Sequence, residues 1–132
     1  MYLVVASSKY EVRAFAPIRD NYVQECEVLE FLRSMLNEKP YRAAVNGFRL
    51  LFERYSKDGT QKLTYEMFHE VDQKNGIFVF RKGGLRIFCF RDEQRVVLTH
   101  GAIKKTQKVD QTEITKAVSI KKQYFAKTSS GK

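Results

Sequence analysis

The feature that most restricts how this 132-residue chain can fold is a glycine pair, Gly83-Gly84, set between two alternating apolar runs, Ile77–Arg81 and Leu85–Phe90. Two adjacent residues that reach positive φ without a Cβ clash suit a two-residue hairpin loop. Such a loop fixes the register. Arg81 then lies opposite Arg86, Val79 opposite Phe88 and Ile77 opposite Phe90, with all six side chains on one face. Like charges directly opposite each other on a sheet repel unless an anion lies between them. Arg81 and Arg86 are therefore either a grip for a phosphate, whose oxygens match the guanidinium fork, or a solvated pair neutralised by carboxylates elsewhere.

A third run, Arg95–His100, follows Asp92-Glu93-Gln94 and completes a three-stranded meander within Gly76–Lys108. The length of this second loop decides what His100 meets. A three-residue loop puts His100 opposite Arg86, whereas a two-residue loop puts Thr99 near that face. A neutral imidazole near pH 7 can take or give a proton, although a lone histidine more often has a satisfied structural role.

The rest of the chain reads as support for the meander. Tyr2 to Phe15 is β-rich and expected to form a strand or hairpin arm, ended by Pro17. Asp20 or Asn21 is expected to cap a helix with apolar positions Val23, Cys26, Val28, Leu29, Leu32, Met35 and Leu36. After the break at Asn37–Pro40, Ala43, Ala44, Phe48, Leu51, Phe52 and Tyr55 continue at helical spacing to about Lys57, so the two helices should pack antiparallel. Residues 61–75 carry no decisive pattern, and His69 among them receives no role. Asp110 or Thr112 is expected to cap a last helix with apolar positions Ile114, Ala117, Val118, Tyr124 and Phe125, leaving 126–132 as a flexible basic tail. The expectation is one α+β domain over residues 1–125: strand, two-helix hairpin, three-stranded meander and C-terminal helix, with helices packed on an antiparallel sheet.

Charge is unevenly placed along this order. Residues 1–80 hold 11 Lys+Arg and 11 Asp+Glu, while residues 81–132 hold 13 and 4, which accounts for the whole net charge of +9. Such asymmetry points to a polyanionic partner for the C-terminal half. The apolar start Met1–Ala6 is too short for a signal peptide, and no run is long enough to span a membrane. Cys26 and Cys89 lack metal-type spacing and read as buried thiols of a cytoplasmic protein. No metal-ligand cluster, cofactor motif or nucleophile signature is present, so neither metal nor cofactor is expected. A site built from arginine, lysine and histidine suits RNA cleavage by the RNA's own 2′-hydroxyl. It must align that hydroxyl with phosphorus, neutralise the phosphoryl oxygens and protonate the leaving 5′-oxygen.

The run Gly76-Ile-Phe-Val-Phe-Arg81, then Leu85-Arg86-Ile-Phe-Cys-Phe90, then Arg95-Val-Val-Leu-Thr-His100-Gly-Ala-Ile-Lys104-Lys105-Thr106-Gln107-Lys108 resembles the phage-derived Gp49-like branch of the RelE/HigB toxins. That branch has an arginine ending one strand, an arginine opening the next, and a strand running through His into Lys-Lys-Thr-Gln-Lys. The resemblance extends through Glu113-Ile-Thr-Lys-Ala117 to about residue 125, and Leu29-Glu-Phe-Leu32 is similar to the family's first helix. Where the family usually has a proline before the last helix, this chain has Val109-Asp110.

The resemblance implies a RelE/ParE-like fold and the toxin of a type II toxin–antitoxin pair, an mRNA endoribonuclease acting in the ribosomal A site. It implies an antitoxin partner, commonly a helix-turn-helix DNA-binding protein. Carried over by position, Arg86 and Arg81 are phosphate or transition-state contacts, His100 a proton-transfer group and Lys104 a further catalytic candidate. Lys105, Lys108, Lys82 and Arg91 are expected RNA contacts. Two other readings stay open: a non-catalytic ParE-like toxin that inhibits gyrase, and a non-toxic basic nucleic-acid-binding module.

Overall fold

In a computed structural model of the chain, the hairpin around Gly83-Gly84 forms in the register its glycines require. Both glycines take positive φ, 52° and 84°. The structure describes residues 2–19, 22–23, 26–106 and 108–130, with the backbone alone for 18–19, 22–23 and 127–130.

Strands β1 (Tyr2–Ser7) and β2 (Glu11–Phe15) form an N-terminal hairpin, and β3 (Ile18–Arg19) pairs with β4 (Tyr22–Val23) in a small separate ladder. Helix α1 (Glu27–Leu36) leads through a 3-10 turn, Lys39–Tyr41, into α2 (Arg42–Asp58). Then come β5 (Phe68–Asp72), β6 (Ile77–Lys82), β7 (Leu85–Asp92), β8 (Arg95–Ile103) and α3 (Gln111–Ser130). The main sheet has six strands in the order β1-β2-β8-β7-β6-β5.

Several expectations change here. The sheet is mixed rather than antiparallel, because β2 runs parallel to β8, with Glu11 beside Arg95 and Ala14 beside Leu98. Residues 68–72, left unassigned from sequence, form the β5 edge against β6. The first helix begins at Glu27 behind Cys26, so Val23 lies in a strand instead. The expected cap residues Asp20 and Asn21 lie outside the described residues. Helix α3 continues to Ser130, past the apolar pattern that ends at Phe125 and through most of the expected tail; residues 131–132 lie outside the described residues.

The sheet has a core on each face, because alternation sends neighbouring residues to opposite sides. Phe80, Leu85, Ile87, Cys89 and Leu98 pack with Val28 of α1 and with Phe48, Leu51 and Phe52 of α2. Ile77, Val79, Phe88, Phe90 and Val97 pack with Ala117, Ile120 and Tyr124 of α3. The α2 positions expected from helical spacing are buried save Ala43, while Ile120 of α3 joins the core unanticipated.

Strand β8 changes register partway. Its loop to β7 holds two residues, with Asp92 opposite Arg95, and pairing continues regularly to Cys89 opposite Leu98. Thr99 is then an extra residue, so Phe88 faces His100 and Arg86 faces Ala102. This is a β-bulge. The buried Thr99 hydroxyl donates to the Phe88 carbonyl at 3.2 Å, giving it a partner where the ladder is interrupted. Neither sequence alternative for His100 survives: it shares a face with Arg86 but sits one cross-strand row away.

Candidate functional site

Two adjacent rows of the sheet define the site. One runs from Arg81 on β6 through Arg86 on β7 to Ala102 on β8. The next runs from His69 on β5 through Val79 and Phe88 to His100 on β8. All lie on the α3 side of the sheet, where α3, starting only at Gln111, packs on Val79 and Phe88 of the second row and on Ile77, Phe90 and Val97 beyond it. The arginine row thus lies past the helix's N-terminal end, beside the connecting segment from Lys104 to Asp110.

That segment is held close to the hairpin. The Lys104 amide donates to the Gly84 carbonyl at 2.8 Å, extending the ladder by one step. Arg86 donates from Nη2 to the Thr106 carbonyl at 3.0 Å, and the arginine is only 5% exposed. Burial, followed by the charge of Arg81, lowers its pKa. It remains a cation at any physiological pH. Asp110 accepts from the Thr112 amide at 2.9 Å and from its hydroxyl, capping α3 as expected and holding the Asp110 carboxyl below its usual range.

The arginine pair separates two clefts. A larger one, about 850 Å³, is bounded by Arg86, Lys105 and Lys108, with Phe31 of α1 on one side and Glu113 of α3 on the other. A smaller one, about 400 Å³, is bounded by Arg81 and Lys104, with Glu66 and Thr64 opposite. The structure therefore places Arg81, Arg86, Lys104, Lys105 and Lys108 around one basic ridge. Lys82 also lines the smaller cleft, whereas Arg91 belongs elsewhere. The stem of Lys82 lies against α2, where a Cβ added at Gly47 would come within 2.6 Å of its Cε. Arg91 lies over the Phe78 ring at 4.7 Å on the α2 side of the sheet. Strand alternation explains both, since each is one residue out of phase with Arg81 or Arg86.

His100 is a buried ring, 1% exposed and stacked on Phe88 with centroids 4.9 Å apart. Its Nδ1 lies 3.0 Å from the Thr99 hydroxyl, whose proton goes to the Phe88 carbonyl; Nδ1 therefore donates and Nε2 is left unprotonated. Nε2 is 3.7 Å from the Glu113 carboxyl, beyond hydrogen-bonding distance. Burial, with the Lys116 charge second, pushes the His100 pKa down to about 4. Glu113 is pushed the other way, upward, chiefly by its own burial. At neutral pH His100 is thus an uncharged ring beneath the site, without the proton that a general acid needs.

Three neighbours of the site, the last of them a stacked pair of rings, were not found from sequence. Glu113 faces His100 from the first turn of α3, and Phe31 walls the larger cleft so tightly that a Cβ at Gly101 would overlap its ring. The third is His69, with Tyr65. Their rings stack at 4.2 Å with an interplanar angle of 16°, and His69 Nδ1 lies 2.9 Å from the Tyr65 carbonyl. A histidine four residues after a tyrosine in a patternless stretch carries no signal until β5 is recognised.

Among the described residues, no group of three or more His, Cys, Asp or Glu is placed to hold a metal ion. No helix among them is long and apolar enough to cross a membrane. Compared with known families, residues 18–122 match the family described as phage-derived protein Gp49-like. No curated protein matches the chain.

Proposed function

This chain belongs to the phage-derived Gp49-like family, and on that premise we propose that it is the toxin of a type II toxin–antitoxin pair, an endoribonuclease that cuts mRNA in the ribosomal A site. The observation that carries this reading is the in-register pair Arg81 and Arg86, like charges placed opposite each other beside a lysine-lined cleft. A fold keeps such a pair at a cost in repulsion, which a bound phosphate reverses.

In the proposed reaction the two guanidinium groups hold the scissile phosphate and oppose the charge that grows on its non-bridging oxygens. Lys104, which lines the cleft on the Arg81 side, protonates the departing 5′-oxygen. Lys105 and Lys108 hold the flanking backbone of mRNA or ribosomal RNA. His100 supports this arrangement from below as a neutral ring on Phe88, rather than exchanging protons with the substrate. The partner that silences the toxin is proposed to be an antitoxin with a helix-turn-helix domain, and the site of action the cytoplasm.

The test is induced expression followed by mapping of transcript 5′ ends. Cuts phased with codons in translated mRNA are expected. Intact mRNA with stalled gyrase would replace this reading with a non-catalytic toxin, and intact mRNA with no growth defect would leave a basic nucleic-acid-binding module.

A further inference from the structure

Resting on the endoribonuclease reading, we propose that His69 is the general base, its Nε2 accepting the 2′-hydroxyl proton of the nucleotide held by Arg81 and Arg86. Four observations converge on it.

The first is placement. His69 pairs with Val79, so Arg81 is its diagonal neighbour on the adjacent strand. Diagonal neighbours on one face stand about 7–8 Å apart at Cα, within reach of long side chains and aromatic rings. An oxygen bound between the arginine forks then has its neighbouring ribose over the β5 edge, where His69 is only partly buried.

The second is tautomer. A carbonyl oxygen only accepts, so the 2.9 Å contact to Tyr65 requires the proton on Nδ1. Nε2 then carries a lone pair, and among the described residues no group hydrogen-bonds to it.

The third is orientation. The Tyr65 ring lies nearly parallel to the imidazole while itself 71% exposed, so it restrains the histidine from that side.

The fourth is charge state. The groups facing His69 are Tyr65 and Glu66 from the preceding turn, Arg81 from β6 and Arg86 from β7. Burial first, then the two arginines, lower its pKa below the usual histidine value; the Tyr65 hydrogen bond and Glu66 oppose this. The imidazole is therefore neutral and ready to accept a proton at pH 7. His100, at the other end of the same row, is closed off from the surface.

The step balances as follows. Nε2 takes the 2′-hydroxyl proton as the 2′-oxygen bonds to phosphorus. The bond from phosphorus to the 5′-oxygen breaks, and that oxygen takes a proton from the Lys104 ammonium. The products are a 2′,3′-cyclic phosphate and a 5′-hydroxyl, and water returns the protons between His69 and Lys104.

Single-turnover cleavage of mRNA on translating ribosomes tests this with the full chain, His69→Gln and His69→Ala, each checked for an unchanged thermal midpoint. At pH 7 both variants are expected to cut at least about 100-fold more slowly, the usual lower range for lost acid–base catalysis. The acid limb of the rate profile should vanish in both, and added imidazole should restore part of the His69→Ala rate. If the unaltered chain cuts and His69→Gln matches it with the same acid limb, His69 is not the base and the endoribonuclease reading stands. If the unaltered chain cuts no mRNA, both fall.

Discussion

Arg81 and Arg86 stand directly opposite each other across the β6–β7 hairpin, half-exposed and buried respectively, with the Arg86 guanidinium anchored on the Thr106 carbonyl. Their repulsion should be measurable without any ligand. Arg81→Gln is expected to stabilise the free protein by about 0.2–1 kcal/mol at low salt, with the gain shrinking as salt rises. The same variant and Arg86→Ala should lose growth inhibition. Urea unfolding across a salt series, paired with a plate assay, checks this; a folded Arg86→Ala variant that still arrests growth would remove that residue from the site.

His100 gives the fold a pH dependence whose sign follows from its lowered pKa of about 4, against about 6.5 in the unfolded chain. Between these values the unfolded state binds the proton and the folded state does not. The stabilisation is complete above about pH 6.5 and is lost as pH falls toward 4, by up to about 3 kcal/mol. His100→Phe keeps a ring on Phe88 and should flatten the stability profile in that window. Equal slopes for the two proteins would show that other groups cause the acid sensitivity.

Gly101 exists where it does because Phe31 occupies the space of its missing side chain. Gly101→Ala is expected to cost about 1–3 kcal/mol, the usual penalty of overfilling a packed contact. In a Phe31→Ala background most of that penalty should disappear, and a double-mutant cycle measures the difference. Additive effects would mean that α1 does not rest on β8 in this way.

Tyr124 ties three elements together through one hydroxyl, which donates to Asp92 at 2.9 Å and accepts from Arg13 at 2.6 Å. Burial and the Asp92 contact raise its pKa, so the hydroxyl stays protonated. Tyr124→Phe should cost about 1–3 kcal/mol, since the ring still fills its place in the α3 core while two partly buried polar groups lose a partner. Chemical denaturation with Asp92→Asn as a companion measures this, and a change under about 0.3 kcal/mol would refute the tie.

The hairpin register was legible in the sequence because two glycines leave a two-residue loop little choice and alternation does the rest. The helix faces were legible for the same kind of reason: Phe48, Leu51, Phe52 and Tyr55 repeat at a period that only a helix presents on one side. The bulge at Thr99 was not, since an extra residue is selected by what packs above and below the strand rather than by the strand's own composition. Nor was β5, where Phe68 and Val71 alone suit strand or helix equally. The partition of the lysines and arginines followed from alternation for Arg81 and Arg86, yet the same alternation sends Arg91 to the far side and lays the stem of Lys82 on α2. Proximity in sequence to a basic cluster had suggested otherwise. His69 lay hidden because its neighbours in space are Arg81 and Arg86, which meet it only through strand pairing.

The single additional residue at Thr99 acts as a half-step in β8. It lets Leu98 and His100, which simple alternation would send to the same layer, serve different layers. Were Thr99 drawn into the ladder instead, it would face Phe88, His100 would face Ile87 and Gly101 would face Arg86, so every residue beyond it would change side, the lysines included. Deleting Thr99 would leave His100 on Phe88 and Ala102 on Arg86. Where Lys104 and Lys105 stand relative to the arginines is thus decided several positions upstream, by one residue that the ladder leaves out.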